Sequence, residues 1–253
     1  MEPAPAQPPG PGEAFLWWAR PVAETPSLDG PVPSGADLAL LSPDEREVLQ
    51  RALSADYRSQ YLATRVLARR ALGHAVGAPP ESLAFSRTPQ GRPELAAPSR
   101  LRFNLSNTPG LVVCLVSAEH EVGVDVEREE RGAALLRLAP TVFSPAEQRD
   151  LSALAPPLRE HRAVLLWTLK EAYLKARGKG LSLPLDRFSF GFAAAEGDAP
   201  ARFEVDPSLF DDAGRWQFHT LLLGGHRVSA AIACPRARPV TLVVRALSGK
   251  SAR

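Results

Sequence analysis

The chain lacks most of what would mark it as secreted, membrane-bound or nucleic-acid-binding. Its 253 residues hold two cysteines, Cys114 and Cys234. Both lie in apolar runs and read as small buried residues in a reduced compartment, with a single bridge between them as the alternative. No apolar stretch approaches the roughly 20 residues that a bilayer-crossing helix needs. Residues 2–12 alternate Pro, Ala and Gly without the basic start and apolar run of a secretory signal, and read as a disordered tail of polyproline character. The expected location is therefore cytoplasmic. Neither sign of charge dominates: 30 basic against 28 acidic residues leave +2, which excludes a global field for nucleic acid. The five histidines show no metal-ligand spacing, and no Ser–His–Asp or Cys–His arrangement stands out.

What is present is a pair of segments with acids at useful spacings. In Gly123-Val124-Asp125-Val126-Glu127, strand alternation puts Asp125 and Glu127 on one face with Gly123, and Val122, Val124 and Val126 on the other. In Trp167-Thr168-Leu169-Lys170-Glu171-Ala172-Tyr173-Leu174-Lys175, helical spacing stacks Glu171 over Lys175. Each has an ordinary reading, as a solvated strand face and as a helix-surface ion pair worth about 0.2–0.5 kcal/mol. Two same-face carboxylates repel unless a cation joins them, however, and Gly123 leaves room for a close approach. Brought together, Asp125, Glu127 and Glu171 would offer three hard oxygen ligands beside a cation, a set suited to magnesium and a phosphorylated substrate. Gly178-Lys179-Gly180 reads as a helix C-cap with a tight exit; it lacks the strand–loop–helix order of a phosphate loop.

The organisation is two-fold. Ser42-Pro43-Asp44-Glu45 opens a helix with a serine cap, proline first and an acid third, and Ser144-Pro145-Ala146-Glu147 repeats the device 102 positions later. A longer helical pattern follows each, ending at Gly73 or Gly77 in one case and at Gly178 in the other. Sliding the second helix onto the first by 105 positions pairs Arg65 with Lys170 and Arg70 with Lys175. Strands are expected over 14–20, 83–86, 101–106, 111–117, the acidic segment, 188–192, 202–205, 216–222, 227–233 and 240–245, with 28–37 as loop and 107–110 as a turn. The expected fold class is α+β: two similar α/β halves, each a small antiparallel sheet packed with a long helix. The expected boundaries are a tail over 1–13, an N-terminal half over 14–118, a C-terminal half over 119–246 and a short tail over 247–253.

In order along the chain, Phe103-Asn104-Leu105-Ser106-Asn107-Thr108, the acidic strand, Phe143-Ser144-Pro145-Ala146-Glu147 and the stretch 167–185 resemble the signature of the 4′-phosphopantetheinyl transferases of the larger, pseudo-dimeric Sfp type. The similarity runs over about 41–190. The resemblance implies a pseudo-twofold fold and transfer of phosphopantetheine from coenzyme A to a serine of an apo acyl or peptidyl carrier protein, with magnesium as cofactor and adenosine 3′,5′-bisphosphate released. By position it implies Asp125, Glu127 and Glu171 as metal ligands. Lys175 would contact the phosphates with Lys170 beside it, and Glu147 would be the general base. Arg65, Arg92 (in Gly91-Arg92-Pro93), Ser106 and Asn107 fall where the family grips the nucleotide end. Fatty-acid, polyketide and peptide carriers all remain open, and a monomer is implied. Two departures stand out. Asn107 replaces a common histidine, so a charge-assisted bond becomes a neutral one, and Asp44-Glu45-Arg46-Glu47 has only Arg46 where some relatives place several basic residues. The competing readings are a magnesium-dependent nucleotide phosphodiesterase and a decayed coenzyme A-binding protein that docks carriers.

Overall fold

Two serine caps set the framework. In the computed structural model, which describes residues 7–21, 35–178, 183–235 and 237–247, Ser42 and Ser144 each accept a hydrogen bond from the backbone N–H three residues on. Glu45 and Glu147 reach back to the cap N–H groups, at 2.9 and 2.8 Å. These reciprocal bonds satisfy two otherwise orphaned donors and start helices α2 (Pro43–Arg51) and α5 (Pro145–Ala153). Each leads into a helix of 22 residues, α3 (Ala55–Val76) and α6 (Pro156–Arg177). Both long helices stop at a glycine in the left-handed region, Gly77 at φ 68° and Gly178 at φ 63°, where a side chain would be strained. The shorter helices are α1 (Gly35–Ala39) and α4 (Gly132–Val142).

The chain divides into two units, Met1–Glu119 with Thr241–Arg253, and His120–Val240. In the first, the strands are β1 (Glu13–Ala19), β2 (Phe85–Arg87), β3 (Pro93–Leu95), β4 (Arg102–Thr108), β5 (Leu111–Ser117) and β11 (Thr241–Ala246). Its main sheet runs β11-β1-β5-β4, with β2–β3 as a separate hairpin. Leu67, Ala71, Leu72 and Ala75 of α3 pack with Phe103, Val112, Cys114 and Val116 of that sheet. In the second unit, β6 (Val122–Arg128), β9 (Trp216–Leu223) and β10 (His226–Ala233) form a sheet in the order β6-β10-β9, and β7 (Phe188–Gly191) pairs with β8 (Arg202–Val205). There α6 supplies about half of a core that it shares with Phe188, Phe190, Phe203 and Trp216, among others. The α+β plan of two similar halves is what the sequence pattern implies: β1-β5-β4 repeats as β6-β10-β9, and β2–β3 repeats as β7–β8.

The structure corrects several expectations. The long helices superpose at 101 positions, not 105, because α6 begins at Pro156 with prolines in its first turn and Gly77, not Gly73, is the matching cap. The partner of Lys170 is therefore Arg69 rather than Arg65. The last strand, expected in the C-terminal half, pairs in parallel with β1 of the first unit, Glu13 opposite Thr241. Residues 7–12, expected as tail, are held down: Gln7 N–H donates to His74 O at 3.0 Å and Pro9 is buried. Within the expected loop 28–37, Gly35 begins α1; the expectation for 179–182 lies outside the described residues. Cys114 and Cys234 are buried free thiols, and burial pushes the Cys114 thiol well up. Among the described residues no helix is long and apolar enough to cross a membrane.

Candidate functional site

The site is made by a helix lying directly on a strand. Gly123 has no side chain, and a Cβ placed there would meet Ala172 O at 2.1 Å and Ala176 N at 2.3 Å. The close approach that this glycine permits is thus the approach of α6 itself. Ser229, opposite Asp125 on β10, adds a buried hydroxyl bond to Thr168 at 2.7 Å that fixes the helix along the sheet. Residues 171, 172, 175 and 176 share one helix face, so Glu171 and Lys175 come down beside Asp125.

Lys175 Nζ donates to Asp125 Oδ1 at 2.6 Å and to Val124 O at 3.2 Å. Asp125 is 7% exposed and Glu127 8%. The carboxyl of Glu171 is held above the usual carboxylate range, first by burial and then by the charge of Asp125, with Lys175 opposing. Lys175 thus stands beside two neighbouring carboxyls, Asp125 and Glu171. Glu127 Oε2 pairs with Arg131 at 3.1 Å, and its Oε1 accepts the Arg128 N–H at 2.8 Å. Among the described residues no three acids, histidines or cysteines already stand as a metal-binding group. The donor set nonetheless fits a hard cation, since Asp125 and Glu171 supply adjacent oxygens and Glu127 shares the strand face with Asp125.

Lys170 and Glu147 are placed differently from expectation. Both side chains are 0% exposed and their ion pair is 2.8 Å. Lys170 also donates to Leu185 O at 2.7 Å and Phe188 O at 2.8 Å; burial lowers its pKa, with Glu147 pulling it back. Glu147 Oε1 accepts the Phe190 N–H at 3.0 Å, while Oε2 takes the Ser144 N–H and Lys170. With both oxygens engaged and both side chains 0% exposed, Glu147 presents no surface to an incoming serine and Lys170 none to a phosphate. The first unit repeats the device. Arg69, 2% exposed, pairs with Glu45 at 2.7 Å and donates to Pro80 O and Leu83 O, its guanidinium over the Phe85 ring as Lys170 lies over Phe188. A latch that recurs in the half without the acids is architectural.

The other expected contacts lie in the first unit. Arg65 on α3 makes no hydrogen bond through its buried Nε and lies over the Tyr61 ring at 5.1 Å. Arg92 donates to Phe103 O at 3.2 Å. Ser106 is buried and Asn107 exposed on successive positions of β4, hence on opposite faces, and the structure does not bring them together. Arg46 is occupied by Leu38 O and Ala39 O, each at 3.2 Å. Arg131 and Ser229 went unremarked in the sequence reading: Arg131 could have been found by its four-residue spacing from Glu127, whereas only the register reveals Ser229.

Comparison with known proteins covers both units. A family model described as the 4′-phosphopantetheinyl transferase superfamily matches residues 121–233, and one described as 4′-phosphopantetheinyl transferase, N-terminal, matches 34–120. The chain is similar to a 4′-phosphopantetheinyl transferase of Bacillus subtilis, 33% identical over 64% of this chain and 72% of that one. It is likewise similar to the 4′-phosphopantetheinyl transferase HetI of a Nostoc species, 32% identical over 72% and 76%. A solved holo-[acyl-carrier-protein] synthase of Thermotoga maritima aligns over 46% of this chain and 64% of that chain, with 22% identity and a TM-score of 0.36.

Proposed function

Because the chain belongs to the 4′-phosphopantetheinyl transferase superfamily, we propose that it moves the phosphopantetheine arm of coenzyme A onto a serine hydroxyl of an apo acyl or peptidyl carrier protein. The serine oxygen bonds to the phosphorus that bears the pantetheine, the pyrophosphate bridge breaks on the far side, and adenosine 3′,5′-bisphosphate leaves. The observation that carries this reading is the convergence of Glu171 and Lys175 from α6 on Asp125 of β6.

Asp125 and Glu171, with Glu127 once Arg131 releases it, would hold magnesium, which when bound neutralises charge on the pyrophosphate. Lys175, 28% exposed, is the cation placed to meet charge growing on the leaving phosphate. The base passes from Glu147 to Glu171. Its carboxylate stands beside Asp125 and Lys175, where it can accept the serine proton directly or through a water, whereas Glu147 is sealed in its latch. Arg65 keeps a charge with no ion pair among the described residues, which supports a role at the nucleotide end, with Arg92 and Ser106. A cytoplasmic monomer is part of the same proposal, supported by the duplication of the unit within one chain.

Intact mass spectrometry of apo fatty-acid, polyketide and peptide carriers, incubated with the protein, coenzyme A and magnesium, tests this reading. One added phosphopantetheine, lost with Asp125→Ala or Glu171→Ala, is expected. Hydrolysis of coenzyme A without a mass gain on any carrier would replace transfer by a phosphodiesterase activity, and no change in either substrate would leave a binder.

A further inference from the structure

The back of α6 is tied down by one buried carboxylate. Tyr173 and Arg177 lie on the side of the helix away from Glu171 and Lys175, and both end on Asp211. Its Oδ2 accepts from the Tyr173 hydroxyl at 2.7 Å, Arg177 at 2.7 Å and Trp216 Nε1 at 2.8 Å, and Oδ1 takes the Asp212 N–H at 3.0 Å. The Asp211 side chain is 2% exposed. Burial, and then the bond to Asp211, holds the Tyr173 phenol well above its usual range, so it stays a donor. Arg177 also donates to Leu209 O at 3.1 Å. Between Leu209 and Asp211, Phe210 adopts φ 50°, the one non-glycine residue with positive φ among the described residues, and the residue is 92% exposed. The backbone thus accepts strain at Phe210, and its two neighbours both reach the last turn of α6.

The first unit shows that this hub is not required by the fold. There the Glu–cation latch recurs, but the positions of Tyr173 and Arg177 are Leu72 and Val76, which pair with no acid. Among the described residues, the hub exists only in the half whose helix carries Glu171 and Lys175.

We propose that Asp211 is a positioning residue for the reaction, holding the last two turns of α6, through Tyr173 and Arg177, so that Glu171 and Lys175 stay beside Asp125. This rests on the transfer reading above. Without the shared acceptor the helix frays back from Gly178, and the groups on its front face lose their fixed placement.

The test uses the full chain with Asp211→Asn and, as a milder variant that keeps the aromatic packing, Tyr173→Phe. Hydrogen exchange should quicken in the amides of the last turn of α6 while β6 and β10 stay protected. For Asp211→Asn, kcat/KM for coenzyme A should fall by about a hundredfold, the loss that an ångström of misplacement brings. The change should appear in the KM for coenzyme A and in the magnesium requirement, with the KM for the carrier protein unmoved. Tyr173→Phe should show the same pattern more weakly. Unchanged exchange in that turn, or a loss that follows only the fraction of folded protein with both KM values intact, would overturn the proposal. If the wild type transfers nothing, the function reading fails, while exchange and direct titration with manganese alone still judge the hub.

Discussion

The two long helices begin and end alike, yet they rest on their sheets differently. Helix α6 packs chiefly on β6, whereas α3 packs chiefly on β5. The hairpin registers align Gly123, Asp125 and Glu127 with Phe15, Trp17 and Ala19. On the helices, Glu171 and Lys175 align with Arg70 and His74. Where Lys175 meets Asp125, His74 meets the edge of the Trp17 ring at 5.3 Å. Phe15 occupies the place where a glycine lets a helix backbone touch a strand. One scaffold therefore yields a charged site in one half and an aromatic contact in the other, and a side chain with no atoms beyond Cα makes much of the difference.

The shared latch gives the largest expected effect. Glu147→Gln leaves Lys170 buried without its counter-charge and should cost about 3–5 kcal/mol of stability. Glu45→Gln should cost about 1–3 kcal/mol, because Glu45 is 13% exposed where Glu147 is 0%. Urea unfolding ranks them. The double change Glu147→Gln with Lys170→Met removes the charge pair and keeps the volume but leaves the Leu185 and Phe188 carbonyls and one N–H unpaired, so it should recover part of the stability, with turnover following the folded fraction. A folded but inactive double variant would put Glu147 back into the chemistry.

Gly123→Ala attacks the difference between the halves. The added methyl falls on α6 backbone, which cannot swing aside as a side chain does, so about 1–3 kcal/mol should be lost. Turnover should fall with it, since Glu171 and Lys175 ride on the displaced helix. Equal denaturation midpoints for variant and wild type would show that the contact is looser than 2.1 Å implies.

Smaller effects come from the first unit. Asn107 is exposed on β4, so Asn107→His should keep steady-state turnover within about tenfold, near 1.4 kcal/mol; a larger change either way would give that position a direct role. His74 accepts a hydrogen bond from Arg245 at 2.9 Å, and its pKa is lowered, first by burial and then by Arg245. The folded state thus prefers the neutral ring, and its advantage is present above the unfolded value of 6.5 and lost as pH falls through the lowered folded value. Denaturation midpoints should drop modestly between about pH 7.5 and 5.5, and His74→Gln should flatten that slope.

Much of this could be read from residue order. The caps at Ser42 and Ser144, the glycine stops, the acidic strand and the turn before Leu111 are local devices whose geometry follows from their own few residues. Helix α4 was not foreseen, because Gly132–Val142 opens on a 3-10 turn with no side-chain cap and carries Pro140 near its end. Nor were the latch partners, the Asp211 hub or the home of β11, since each joins residues far apart in sequence. Spacing also misled where it was suggestive. Lys170 and Lys175 look like neighbours in a basic cluster, but five positions put them on different sides of α6, one in the core and one over Asp125.

The strand that completes the first sheet is made only after every strand of the second unit. Glu13 waits for Thr241, and between them the whole of the second unit must be synthesised. At about 5–20 residues per second that delay is on the order of ten seconds, during which β1 has an unpaired edge exposed to other nascent chains. The second unit is contiguous and can close as soon as it is made. The half that is translated first is therefore the half that is finished last.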